Sequence, residues 1–223
     1  LERLTIGPKD RLEDQWVFTP KTLLAGRAQS LAGDSAAARV SFEAARARGA
    51  SVTLVSGPVA LARPRGVTVI PVESALEMKA AMESRAAEAD IVIMAAAVAD
   101  YRAATPADRK IKKDAEELQI SLVRTDDILA GLGKTKSRDQ VLVGFAAETN
   151  DVVAYGQEKL KRKNADLFVA NDVSRADIGF SADENEVHLL FADGRAVKVE
   201  KAPKKRIANA ILDAAREIHA AKS

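Results

Sequence analysis

The side chains best placed to do chemistry follow short apolar runs. Asp90-Ile91-Val92-Ile93-Met94-Ala95 is one such run, and it leads into Ala96-Ala97-Val98-Ala99-Asp100-Tyr101-Arg102. Small residues let a ligand approach the backbone, whose N–H groups then bind a phosphate or the edge of a base. Asp100 is a lone acid at the strand exit, suited to a base, a ribose hydroxyl or a metal; a tight turn with a surface Asp is the other reading. A second run leads into Gly144-Phe145-Ala146-Ala147-Glu148-Thr149. There Phe145 is suited to stacking on a base and Glu148 to accepting a hydrogen bond, although a strand-end Phe is also ordinary core. Lys159 and Lys163 are spaced to share one face of a helix, with Lys161 and Arg162 beside them. Two such cations can clamp a triphosphate; a solvated basic face is the alternative. Lys110-Ile111-Lys112-Lys113 sets a cluster of cations in a charged loop, to neutralise polyphosphate or simply to face water. Asn171-Asp172 closes a further apolar run.

These residues need a scaffold, and the pattern alternates strand and helix. A short strand is expected over residues 4–6. A helix follows over residues 35–48, with Asp34 as N-cap and Gly49 ending it. Residues 51–55 read as a buried strand closed by Ser56-Gly57-Pro58, and residues 67–70 as another. Ser74-Ala75-Leu76-Glu77 is a capping box that opens a helix to about residue 89. After the strand at 90–95, Leu118, Ile120 and Leu122 alternate with polar residues and predict a half-exposed strand. A short helix begins at Asp126 and runs to about residue 131. A strand at 140–145, an amphipathic basic helix at 152–163 and a strand at 165–170 follow. Asp193-Gly194 between two apolar runs predicts a hairpin, and a last helix spans 203–219. The pattern implies an α/β, Rossmann-like, mainly parallel sheet with helices on both faces and a C-terminal β-hairpin. Ligands in such folds lie beyond the carboxyl ends of the strands. No linker interrupts the chain, so residues 1–223 read as a single nucleotide-binding α/β domain. The charged segment 105–117, which contains Pro106, is the expected mobile loop.

Composition narrows the chemistry. The chain has no Cys, which excludes disulfides, thiolate nucleophiles and Cys-held zinc. Its two histidines, His188 and His219, do not suffice for a His-rich metal site, and neither is given a catalytic role. Any metal is therefore of the hard kind held by carboxylates and phosphates. A formal net charge of +2 gives no reason to expect nucleic acid or membrane as partner. No apolar run reaches the length of a membrane span and no leader is visible, so a cytoplasmic location is expected. There is no Walker A loop, no GxGxxG fingerprint and no serine nucleophile elbow.

Several motifs occur together in order: Val52-Thr53-Leu54-Val55-Ser56-Gly57-Pro58, the Ala95–Arg102 stretch, Lys110-Ile111-Lys112-Lys113, Gly144–Thr149, Lys161-Arg162-Lys163-Asn164-Ala165-Asp166 and Ala170-Asn171-Asp172-Val173. From about Gly49 onward the chain resembles the phosphopantothenoylcysteine synthetase family, which in bacteria is commonly the C-terminal half of a bifunctional coenzyme A biosynthesis protein. The resemblance implies a CTP-dependent ligase. It joins 4′-phosphopantothenate to L-cysteine through an acyl-cytidylate, with Mg²⁺ (or Mn²⁺) as cofactor. It also implies a homodimer and a fused or associated decarboxylase domain. By position, Met94, Ala95, Ala96 and Asp100 resemble the cytidine contacts, and Asp127, Ile128 and Leu129 the loop beside base and ribose. Phe145 resembles the aromatic residue against the nucleotide, Lys159 and Lys163 the triphosphate lysines, and Lys110 the catalytic lysine of a mobile flap. The family's opening Gly-Pro-Thr-Arg-Glu, its catalytic Asn and its Ser-Gly-Lys-Met-Gly have no counterpart in residues 9–41, since the first Asn of the chain is Asn150. A nucleotide-binding homologue with lost or altered catalysis is therefore the alternative. Thr125-Asp126-Asp127 stands where bacterial members usually have Asn-Pro-Asp, and Asp126 adds a negative charge at that loop.

Overall fold

Residues 141–146 show how the core is divided. Successive side chains of an extended strand point to opposite faces. Val141 and Val143 accordingly join Val52, Leu54, Ile91, Leu167 and Val169 in one buried cluster, packed on Ile207 and Ile211. Leu142 and Ala146 join Val92, Met94 and Phe168 in another, packed on Met78, Met82, Ile128, Leu132 and Leu160. The sheet is thus apolar on both sides and covered on both, as a parallel sheet requires.

The computed structural model describes residues 22–27, 42, 44–58, 62–105, 119–148, 151–172 and 184–223. The strands are β1 (Thr22–Arg27), β2 (Ser51–Ser56), β3 (Thr68–Pro71), β4 (Ile91–Met94), β5 (Tyr101–Ala103), β6 (Leu122–Arg124), β7 (Val141–Glu148), β8 (Leu167–Asp172), β9 (Glu184–Phe191) and β10 (Ala196–Pro203). The helices are α1 (Ala75–Ala86), α2 (Ile128–Thr135), α3 (Val152–Lys163) and α4 (Lys204–Lys222). Phe42 and residues 44–47 are helical as well, and this segment ends at Gly49, whose φ of +89° favours glycine. The main sheet has the order β10-β9-β8-β7-β4-β1-β2-β3. Every pairing from β8 to β3 is parallel, and β9 and β10 add an antiparallel edge. That is the expected α/β class, with α1, α2 and α3 on one face and α4 on the other.

The helices start and stop for local reasons. The Ser74 side chain accepts the Glu77 N–H at 3.2 Å, and the Glu77 carboxylate accepts the Glu73 N–H at 2.7 Å, a capping box shifted by one donor. Helix α1 stops at Ala86 rather than at residue 89. The buried Gln140 amide takes over there, donating to the Ala86 and Ala89 carbonyls at 2.5 and 2.6 Å. Helix α4 runs past residue 219 to Lys222, because the Lys222 ammonium is anchored on the Gln140 carbonyl at 2.8 Å. Gly194, at φ +94°, closes the expected hairpin between β9 and β10.

Other expectations change. Strand β1 lies between β2 and β4 in mid-sheet, yet the Thr-Leu-Leu-Ala-Gly-Arg stretch gives no alternation from which to expect it. The strand expected at 4–6 lies outside the described residues, as do Leu118 and most of the charged segment 105–117. The half-exposed strand begins only at Leu122, and Ile120 precedes it with its side chain in solvent. It pairs antiparallel with β5, which the sequence suggested was loop, in a ribbon separate from the main sheet. The short helix begins at Ile128, because the Asp127 side chain serves as its N-cap.

Candidate functional site

Register places several strand ends side by side. Met94, the last residue of β4, lies opposite Gly144 in the middle of β7. That strand continues to Glu148 instead of ending at residue 145, so Phe145 is within it; Glu148 and its partner Asp172 of β8 are at the carboxyl ends. Met94 is buried, Ala95 is exposed, and Ala96 and Val98 pack back against the face that carries α1, α2 and α3. The segment after β4 thus folds over that face and ends at exposed Asp100. The Asp100 carbonyl accepts the Thr125 N–H at 2.8 Å, tying this loop to the one that precedes α2.

Asp127 has two tasks. One carboxylate oxygen accepts the Ala130 N–H at 3.0 Å and caps α2; the other accepts the Lys163 ammonium from α3. Ile128 is buried and Leu129 half-buried. Gly144 is what lets α2 press on β7: a Cβ there would lie 2.5 Å from the Phe168 ring and 2.7 Å from Leu129. At Gly133 a Cβ would overlap the Lys163 carbonyl, so α2 and the end of α3 meet through backbone. The Asn164 amide donates to the Gly133 carbonyl at 2.7 Å across the same contact. Asn164 itself adopts a left-handed conformation, φ +50°, as the helix cap.

The Lys163 side chain is largely covered. Its burial, then the nearby Arg124 charge, pull its ammonium below the ordinary lysine range, while Asp100 opposes them. One turn earlier, Lys159 Nζ lies 2.5 Å from Glu148 Oε1, and the Glu148 side chain is itself mostly covered. The extra charge at Asp126 is met by Lys79 of α1, whose Nζ lies 2.7 Å from Asp126 Oδ2. Arg102 also faces it, and together these cations lower the proton affinity of the Asp126 carboxyl, the Lys79 hydrogen bond most.

Asp100, Asp127, Ile128, Leu129 and Lys163 therefore gather where the loop after β4, the start of α2 and the end of α3 meet. Lys159 lies one turn away on Glu148. Phe145 is partly exposed and, by strand alternation, lies on the side of β7 shared with Val141 and Val143, away from Lys159. Lys110 lies outside the described residues. Sequence reasoning missed Lys79, Arg124 and the pairing of Glu148 with Lys159. No local spacing signals them, since each partner comes from a different element.

The arrangement offers a close-approach backbone, a helix N-terminus at α2 and two ammonium groups, Lys163 largely covered and Lys159 partly exposed, a combination suited to an anionic ligand. Among the described residues no three His, Cys, Asp or Glu side chains gather into a metal site, and no helix is long and apolar enough to cross a membrane.

The family model described as "DNA/pantothenate metabolism flavoprotein C-terminal domain" matches residues 38–218. The coenzyme A biosynthesis bifunctional protein CoaBC of Escherichia coli (strain K12) is 51% identical over 157 residues, which span 69% of this chain and 39% of that protein. The chain thus spans well under half of that relative. The crystal structure of the C-terminal domain of a CoaBC protein superposes with a TM-score of 0.73 at 33% identity, covering 91% of this chain and 97% of the other. A Cab2 mutant in complex with phosphopantothenate-cysteine, 15% identical, superposes with a TM-score of 0.69 over 96% of this chain and 93% of its own, a likeness of fold.

Proposed function

The chain belongs to the family of DNA/pantothenate metabolism flavoprotein C-terminal domains, and from that premise we propose that it is a CTP-dependent ligase of coenzyme A biosynthesis. It joins 4′-phosphopantothenate to L-cysteine. The carboxylate of phosphopantothenate attacks the α-phosphorus of CTP, pyrophosphate leaves, and an acyl-cytidylate forms. The cysteine amine then attacks the acyl carbon and CMP leaves. The observation that carries this reading is the pair of ammonium groups, Lys159 and Lys163, on the face of α3 that meets the strand ends. Lys159 and Lys163 offset charge that accumulates on the departing pyrophosphate. The backbone of Met94, Ala95 and Ala96 borders the cytosine, Asp100 and the Asp127–Leu129 segment hold the base and ribose, and Lys110 supplies a cation to the reacting phosphate. Phe145, on the other face of β7 from Lys159, borders the nucleotide away from the triphosphate. Mg²⁺ (or Mn²⁺), when bound, would screen the triphosphate; Asp126, Asp127 and Glu148 are each paired with a different lysine, which supports a cation carried mainly by phosphate oxygens.

We also propose a cytoplasmic homodimer, fused to or associated with a decarboxylase domain. The dimer is supported by the β5–β6 ribbon, which exposes Tyr101, Leu122 and Val123. A two-stranded ribbon is marginal in water on its own. A second reading, nucleotide binding with lost or altered catalysis, is favoured by one observation: the family match begins at residue 38, and residues 9–41 lack the family's Asn and Ser-Gly-Lys-Met-Gly. Calorimetric titration with CTP, with and without 4′-phosphopantothenate, tests both. Binding with pyrophosphate release supports the ligase, binding without any release supports the second reading, and absence of binding removes both.

A further inference from the structure

Glu148 is the last residue of β7, and its side chain lies on the α3 side of the sheet with Leu142 and Ala146. It is largely withdrawn from solvent, with Oε1 2.5 Å from Lys159 Nζ. A carboxylate so covered persists only with a partner, and Lys159 is the partner in place. The consequence for Lys159 matters more. A lysine side chain has many rotamers to lose when it grips an anion. Anchoring one of its N–H donors on Glu148 removes most of that freedom beforehand, and the ammonium keeps two further donors for phosphate.

We propose that Glu148 is a positioning residue that fixes the Lys159 ammonium for the triphosphate. This rests on the nucleotide-binding reading above and assigns a role to an acid that the reading leaves unused. The same logic applies one turn on, where Asp127 holds Lys163, but there the carboxylate also caps α2 and any variant would disturb the helix. Glu148 makes no such second contact among the hydrogen bonds described, which makes it the cleaner test. The opposite role is a plug, in which Glu148 occupies the phosphate position and must be displaced.

The two roles give opposite signs. Glu148→Ala should raise the KM for CTP about ten-fold with little change in kcat, as expected when a long side chain loses its preset rotamer. Glu148→Gln, which keeps an accepting oxygen, should recover part of the loss. In a Lys159→Ala background, Glu148→Ala should cause no further loss of CTP affinity. Tighter CTP binding by Glu148→Ala, unchanged KM, or an undiminished effect in the Lys159→Ala background would overturn the proposal. Relaxation of the Lys159 ¹³Cε in the nucleotide-free protein separates this from the parent reading. If the wild-type chain bound no CTP, the parent reading would fall. Loss of Lys159 side-chain order in Glu148→Ala would still support the anchoring, and unchanged order would overturn it.

Discussion

Asp166 lies at the amino end of β8, at the end of the strands opposite to Asp100 and Asp127, and among the described residues its carboxylate is the most heavily used. Its Oδ2 accepts the Leu142 N–H at 2.8 Å and the Lys136 ammonium at 2.7 Å, and its Oδ1 accepts the Lys222 ammonium at 2.8 Å. Its own N–H donates to the Leu142 carbonyl at 2.9 Å. The carboxylate thus opens the β7–β8 ladder and moors the last turn of α4. The Asp166 side chain and that of Lys136 are each only 10% exposed, and burial outweighs Asp166 in pulling the Lys136 ammonium below the ordinary lysine range. Asp166→Ala leaves Lys136 without its counter-charge and the Leu142 N–H without an acceptor. Removing one partner of a buried pair costs about 3–5 kcal/mol. An orphaned N–H costs about 1–3 kcal/mol, a loss that overlaps with the first. We expect a total of about 4 kcal/mol by urea unfolding at neutral pH, and roughly half of that for Asp166→Asn, which keeps an oxygen for the Leu142 N–H. Nucleotide affinity of the folded variant should not change, since the site lies at the other end of the strands. A loss below about 1 kcal/mol for Asp166→Ala would refute the reasoning, because the buried contacts would then carry no net stabilisation.

Lys159→Ala and Lys163→Ala should each weaken CTP binding by about 1.5–3 kcal/mol, the worth of a charge-assisted contact. Unchanged calorimetric affinity in both would remove these lysines from the site. Burial lowers the proton affinity of Lys163 in the folded chain, so this side chain loses its charge at a lower pH than an ordinary lysine. CTP affinity should therefore fall with rising pH before the ordinary lysine value of 10.5 is reached, and Lys163→Arg should flatten that limb. Superimposable alkaline limbs for the two proteins would contradict it. Gly133→Ala should destabilise by about 1–3 kcal/mol despite the better helix propensity of Ala, since its Cβ meets the Lys163 backbone. A neutral or stabilising outcome in thermal melts would show that α2 and α3 are not in backbone contact.

How legible all this was depended on whether the signal was local. Helix α3 was bounded correctly from sequence because its apolar residues, Gly156 and Leu160 among them, repeat with helical spacing and end at Asn164. The hairpin was legible from Asp193-Gly194 alone. Strand β1 was not, because a mid-sheet strand with Gly26 and Arg27 at its end carries neither alternation nor a long β-branched run. The ribbon strand β5 is not legible because its two exposed residues, Tyr101 and Arg102, present no inward face. In the site, the shared face of Lys159 and Lys163 follows from chain spacing, whereas Asp100 lies not at the end of β4 but six residues past it, just before β5. That each lysine is held by a carboxylate from another element is a tertiary fact. The motif ending in Asn164 and Asp166 divides in the same way: Lys163 faces the site, whereas Asn164 and Asp166 hold α2, β7 and α4 together.

The central claim is tested most directly by following pyrophosphate release from CTP in the presence of Mg²⁺, with 4′-phosphopantothenate and L-cysteine added in turn. The ligase reading predicts release that requires 4′-phosphopantothenate, and an amide product that appears only once cysteine is present. No 4′-phosphopantothenate-dependent release with any divalent cation, from a chain that nevertheless binds CTP, would contradict it and leave a nucleotide-binding domain without the ligase reaction.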